Sequence, residues 1–151
     1  MWNLKKYRLG FDPWGLGLFL LIMIPNFVWF VFSASDDVLR VESVTPLIDA
    51  IAQVSQIIMA AALCSVLNIT RDKSMRRGYR AGTAVCAALY FSGWAVYYAG
   101  ITNAAVILDL CLAPCGAFLL WALARRNALA LLTAVGFTIC HLISTVINFI
   151  R

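Results

Sequence analysis

Five stretches of about 20 residues, each dominated by apolar side chains, follow one another along the chain with only short polar breaks between them. A run of that length, wound as an α-helix, spans the apolar core of a bilayer while satisfying its own backbone hydrogen bonds. The expected spans are 14–33, 47–69, 81–100, 104–124 and 128–150. They leave no room for a separate soluble domain, so residues 1–151 read as a single transmembrane domain. The expected fold is an all-α integral membrane protein, a five-helix transmembrane bundle. Composition agrees: 63% of the residues are hydrophobic and 13% charged, where the charged fraction of a soluble globule is roughly a quarter.

Local signals place the boundaries. Asp12-Pro13-Trp14 puts a capping carboxylate ahead of a proline at the first helical position, a strong helix start. Pro25 removes a backbone hydrogen bond inside the first span and predicts a kink beside Asn26. The polar segment from Asp36 to Glu42 ends that span, and Pro46 opens the next. The second span is expected to reach Ile69 and to close into a basic stretch from Arg71 to Arg77. The turns at Gly100-Ile101-Thr102-Asn103 and Arg125-Arg126-Asn127 are so short that the helices they join must return antiparallel. Lys5, Lys6 and Arg8 before an apolar run ending in Ser33-Ala34-Ser35 imitate a cleavable signal peptide. The run is long enough to span, so this segment is expected to be retained.

The net charge of +5 does not point to nucleic acid, because the basic residues punctuate apolar runs instead of forming one face. They report orientation. Lys5, Lys6 and Arg8 precede the first span; Arg71, Lys73, Arg76, Arg77 and Arg80 follow the second; Arg125 and Arg126 follow the fourth. Only Arg40 and Arg151, of 12 Lys and Arg, fall on the opposite side. The bias predicts a cytoplasmic N-terminus and an outside C-terminus, in a multi-pass protein of the cell membrane. Trp14 and Trp121 then lie near the inner interface, and Trp94, Tyr97 and Tyr98 near the outer one, where amphipathic rings prefer to sit.

Hydrocarbon makes every polar side chain within a span expensive, so those residues carry the functional information. On the second helix Asp49, Gln53 and Gln56 recur at i, i+4 and i+7 and share one face, and on the fifth Thr138, His141, Thr145 and Asn148 do the same. Asn26, Asp109 and His141 each lie roughly 7–11 Å below their outer helix ends at about 1.5 Å per residue. Asp49 is shallower, and its alternative reading is an interfacial cap after Pro46. The inner halves of these helices are almost wholly apolar or small, which suggests a cup open to the outside. Tyr90, Trp94 and Tyr97 form an aromatic stripe on the third helix, suited to packing or to a flat or cationic ligand. The candidate ligand-binding residues are Asn26, Asp49, Gln53, Trp94, Tyr97, Asp109, His141 and Asn148. Asp109 and His141, at similar depth on antiparallel neighbours, are expected to pair.

A single His with two Asp residues lacks any diagnostic metal spacing, so no metal is expected. The five cysteines, Cys64, Cys86, Cys111, Cys115 and Cys140, are odd in number and lie in apolar segments, which argues against a disulfide framework. No phosphate-binding loop, dinucleotide fingerprint, serine-nucleophile elbow, paired-His zinc helix or haem attachment motif is present, so no cofactor is expected. The leading expectation is a small-solute transporter or an outward-facing ligand-binding protein with a polar cavity in the outer half of the bilayer. Its partners would be the lipid, a small polar or cationic solute, and a second copy of the chain, since five spans are few for alternating access. The alternatives are an integral membrane enzyme using Asp109 and His141 as acid and base, and an accessory subunit whose polar face packs on a larger complex.

Overall fold

A computed structural model describes residues 6–35, 37–69 and 76–150. Lys5, Asp36, Arg71, Lys73 and Arg151, used above for boundaries or charge bias, lie outside them. Five helices follow in order: α1 (Pro13–Val31), α2 (Pro46–Ser65), α3 (Arg76–Tyr98), α4 (Ala104–Arg125) and α5 (Ala128–Phe149). Four of them, α1, α2, α4 and α5, are long and apolar enough to cross a membrane. The remaining helix, α3, has 23 residues but starts among arginines and is diluted by Tyr, Trp, Ser and Gly towards its end.

The caps form as the local sequence dictates. Asp12 accepts from the amides of Trp14 (3.1 Å) and Gly15 (3.4 Å), Asn103 from Val106 (3.1 Å) and Asn127 from Ala130 (3.0 Å). These bonds satisfy amides that have no partner within their own helix. α1 runs through Pro25 as one continuous helix.

The second helix ends at Ser65, four residues short of the expected Ile69. There Val66–Asn68 forms a strand, β2, which pairs antiparallel with β1 (Tyr7–Leu9), Tyr7 opposite Asn68 and Leu9 opposite Val66. The amides of Asp12 and Gly10 donate to the carbonyls of Cys64 (2.7 Å) and Ser65 (3.0 Å). The Nδ2 of Asn127 donates to those of Ala62 (2.7 Å) and Val66 (3.0 Å). The carbonyls freed by the last turn of α2 thus find donors from elsewhere in the chain, and the helix can stop. The bundle therefore carries a two-stranded ribbon that an all-helical expectation omits.

α3 packs on α4, α4 on α5 and α5 on α2, while α1 rests chiefly on α2 and touches α3 and α4 more lightly. Half of the most apolar stretch of α4 is buried, against about a quarter for the other candidate spans, so α4 is the central helix. Small residues let the helices close up. A Cβ on Gly93 would come 2.1 Å from Oδ2 of Asp109, and one on Gly82 would come 2.9 Å from Leu120. That register runs α3 and α4 antiparallel along most of their length. Large apolar side chains such as Phe30, Leu47 and Ile57 point outward, a surface suited to lipid and not to water.

The end that carries the ribbon is the basic end. There Arg125 reaches Asp12 at 2.7 Å with both side chains buried, and its guanidinium lies 5.0 Å from the centre of the Trp121 ring. The Tyr7 hydroxyl and the Asn68 amide both donate to the carbonyl of Arg126.

Candidate ligand cavity

In the half of the bundle away from the ribbon the five helices part around a partly open cavity of about 600 Å³. Each helix contributes one face. α1 presents Ile22, Met23, Asn26 and Trp29, and α2 presents Asp49, Ala52, Gln53 and Gln56. α4 presents Ile107, Leu110, Cys111, Pro114 and Phe118, and α5 presents Phe137, His141, Ser144, Thr145 and Asn148. Apart from the adjacent pairs Ile22/Met23, Ala52/Gln53, Leu110/Cys111 and Ser144/Thr145, these are steps of three and four residues, the spacing that keeps side chains on one side of a helix. Tyr90 and Trp94 of α3 and Leu39, Val41 and Ser43 of the α1–α2 loop complete the wall. The polar stripes of α2 and α5 face the same space.

Among the described lining residues Asp49 is the only carboxylate. Its neighbour Thr45, and not Asp49 itself, occupies the cap position of α2. The Asp49 carboxylate instead accepts hydrogen bonds from the hydroxyls of Ser43 and Ser144, and from Thr45 at 3.4 Å. Asn148 braces this group: its Nδ2 donates to Thr45 Oγ1 (2.8 Å) and to the Ser144 carbonyl (2.8 Å), and its Oδ1 accepts from the Val44 amide (2.8 Å). The network ties the loop, the start of α2 and the last turns of α5 into one rigid corner. His141 stacks on Phe137 with ring centres 5.1 Å apart and planes 12° from parallel. The carboxylate that shares the cavity wall with it is Asp49.

Across the cavity Asn26 donates to the Tyr90 hydroxyl at 2.8 Å and so joins α1 to α3. Tyr90, Trp94 and Tyr97 stack edge to face along α3, with ring centres 6.3 and 5.5 Å apart. Gln56 reaches Met23 Sδ at 3.8 Å. Gln53 is exposed and lies at the rim. Cys111 and Cys115 are buried free thiols, and Cys111 reaches the cavity beside Thr145.

Two of the expected residues lie outside this wall. Asp109 follows Ile107 by two positions, a rotation of roughly 200°, so it leaves the cavity face of α4 and points at Gly93 of α3. No hydrogen bond joins it to His141 among the described residues. The expected Asp109–His141 pair is therefore not formed among the described residues, and Asp49 is the aspartate that lines the same cavity as His141, because depth follows from residue counting but helix rotation does not. Tyr97 is taken up by the loop: its hydroxyl donates to Asp37 Oδ1 (2.8 Å) and accepts from the Leu39 amide (3.3 Å).

Asp37 is the clasp that sequence reasoning missed. Its carboxylate accepts from Trp29 Nε1 (2.9 and 3.0 Å), Tyr97 and Arg40 Nε (2.8 Å), and the Arg40 guanidinium also covers the Trp29 ring at 4.8 Å. Burial pushes the Asp37 carboxyl up, but the bonds from Trp29, Tyr97 and Arg40 outweigh it and hold the pKa below the ordinary 3.8. The clasp sets the loop that bears Leu39, Val41 and Ser43 against the cavity. Ser43, Thr45 and Ser144 were also overlooked. Ser144 was legible, three residues after His141 and four before Asn148 on one face, whereas the loop hydroxyls gave no periodic signal.

The chain matches no protein-family model, no curated protein and no solved structure.

Proposed function

We propose that the chain crosses the cell membrane five times and binds or carries a small solute in a cavity that opens to the outside. The observation that carries this reading is the convergence of polar faces from α1, α2 and α5 on one cavity of about 600 Å³, in a chain whose outward surface is apolar. Polar groups in a span are tolerated where they line a wetted or ligand-filled space, and the volume falls in the usual ligand-site range of about 300–1,000 Å³. The antiparallel register of α3 with α4 supports a fifth span, since it sets α3 at the depth of a helix that is itself long and apolar enough to cross. The basic residues at the ribbon end support a cytoplasmic N-terminus. With five spans, carriage across the membrane would take place in a homo-oligomer. The acid–base enzyme reading loses its motivation, because Asp109 does not line the space that His141 faces.

Filling the cavity tests the proposal. Ala52 is buried in its wall, so Ala52→Trp removes much of the free volume. Purified protein in detergent is screened by thermal unfolding against amines, amino acids, sugars and nucleosides. The expected result is at least one class that raises Tm of the parent protein but not of the folded Ala52→Trp variant. Equal shifts in both proteins, or none in the parent, would overturn it and favour an accessory subunit.

A further inference from the structure

Resting on the reading of this cavity as a ligand site, we infer that its ligand is a small organic cation: an ammonium group on an apolar body, held between Asp49 and the aromatic wall.

The aspartates differ in their partners. Asp12 has Arg125 at 2.7 Å and Asp37 has Arg40 at 2.8 Å. Asp49 has three hydroxyl donors and, among the described residues, no Lys or Arg beside it. Hydroxyls satisfy the oxygen lone pairs but leave the net charge at −1, so among the described lining residues Asp49 is the one that offers an uncompensated negative charge to the cavity. No described Lys or Arg lines the cavity, and the one ionisable base there, His141, is stacked on Phe137 and makes no ion pair or hydrogen bond with Asp49 among the described residues. The missing positive charge is thus left to the ligand.

Trp94 and Tyr90 of α3 and Phe137 of α5 line the same cavity, and aromatic faces attract cations through their negative centres. About 600 Å³ is far more than a bare inorganic ion fills, and Ser43, Thr45 and Ser144 already spend their hydroxyls on Asp49. The carboxylate is held in place before any ligand arrives, which lowers the ordering cost of binding. An anion would find the Asp49 charge and no described Lys or Arg in the wall to meet its own.

The test compares isosteres that differ in charge: benzyltrimethylammonium, its uncharged carbon analogue neopentylbenzene, and the anion phenylmethanesulfonate. Binding to the full chain in detergent is read by quenching of tryptophan fluorescence and by the thermal shift. The cation is expected to bind at least about tenfold more tightly than neopentylbenzene, and the sulfonate not at all. Asp49→Asn, which keeps a hydrogen-bond acceptor and the side-chain shape, should abolish the preference for the cation while neopentylbenzene binds as before. Trp94→Leu should weaken the cation more than the neutral probe. Neopentylbenzene binding as tightly as the cation to the parent protein overturns the inference without any variant having to fold. If Ala52→Trp then still blocks that neutral binding, the cavity reading survives and only the charge assignment falls. If the cation prefers the parent protein but Ala52→Trp leaves its binding unchanged, the charged site lies elsewhere and both fall.

Discussion

Gly15 lies where α1 meets the end of α2, and a Cβ there would come 2.3 Å from the Leu63 carbonyl oxygen, a backbone atom that cannot swing aside. Two residues on, Gly17 has nothing within 4 Å of the same hypothetical atom. Gly15→Ala should therefore cost about 1–3 kcal/mol through overpacking. Gly17→Ala should be neutral or gain about 0.5–1 kcal/mol by stiffening the unfolded chain. Chemical unfolding in detergent decides, and equal stabilities would remove the close contact from the account. Asp37 makes a prediction with a pH sign. Its carboxyl is held below 3.8 in the folded state, so the stability its charge contributes is full above that value and is lost as pH falls through the native pKa. Asp37→Asn should cost about 1.5–3 kcal/mol at neutral pH, the worth of bonds to a charged group. The gap between the two proteins should narrow below about pH 4 as the parent itself protonates. A gap independent of pH would mean that the clasp works through shape alone.

Helix existence was legible because apolar runs of spanning length admit few other structures, and the polar faces of α2 and α5 were legible because steps of three and four residues are a local property. Helix ends and rotations were not, for they depend on partners far along the chain. Val66 to Ile69 are as apolar as the turn before them. They leave the helix because Tyr7–Leu9 offers a strand and Asn127 offers its amide. Arg125 read as one more topological charge, yet its side chain is buried against Asp12, which also caps α1. That double duty ties the start of α1 to the end of α4. Arg125→Met would strand a buried carboxylate and should cost about 3–5 kcal/mol. Adding Asp12→Asn, which keeps the cap but removes the charge, should recover part of the loss. If the double variant is no more stable than Arg125→Met, the pair is not coupled and Arg125 acts through its packing on Trp121.

On the scale of the whole molecule, charge and cavity are polarised along the same axis. Lys6, Arg8, Arg77, Arg80, Arg125 and Arg126 belong to the ribbon end, where β1, β2, the first turn of α3 and the α4–α5 turn meet. At the other end stands Arg40, clasped by Asp37, beside the loop that walls the cavity. Basic residues are retained on the cytoplasmic side during insertion, so a cavity at the basic-poor end should open outward, where a solute would be met before entry. The prediction is tested in a background whose five native cysteines are replaced. Glu42→Cys, in the exposed α1–α2 loop, should react with a membrane-impermeant maleimide in intact cells. Gly78→Cys, exposed near the start of α3 with nothing crowding it, should react only after the membrane is permeabilised. The reverse pattern would turn the cavity towards the cytoplasm and make any carrier an exporter in its resting form. Labelling of both sites in intact cells would put the start of α3 on the same side as the α1–α2 loop. α2 would then fail to cross, and its polar face would belong to an interface instead of a cavity wall.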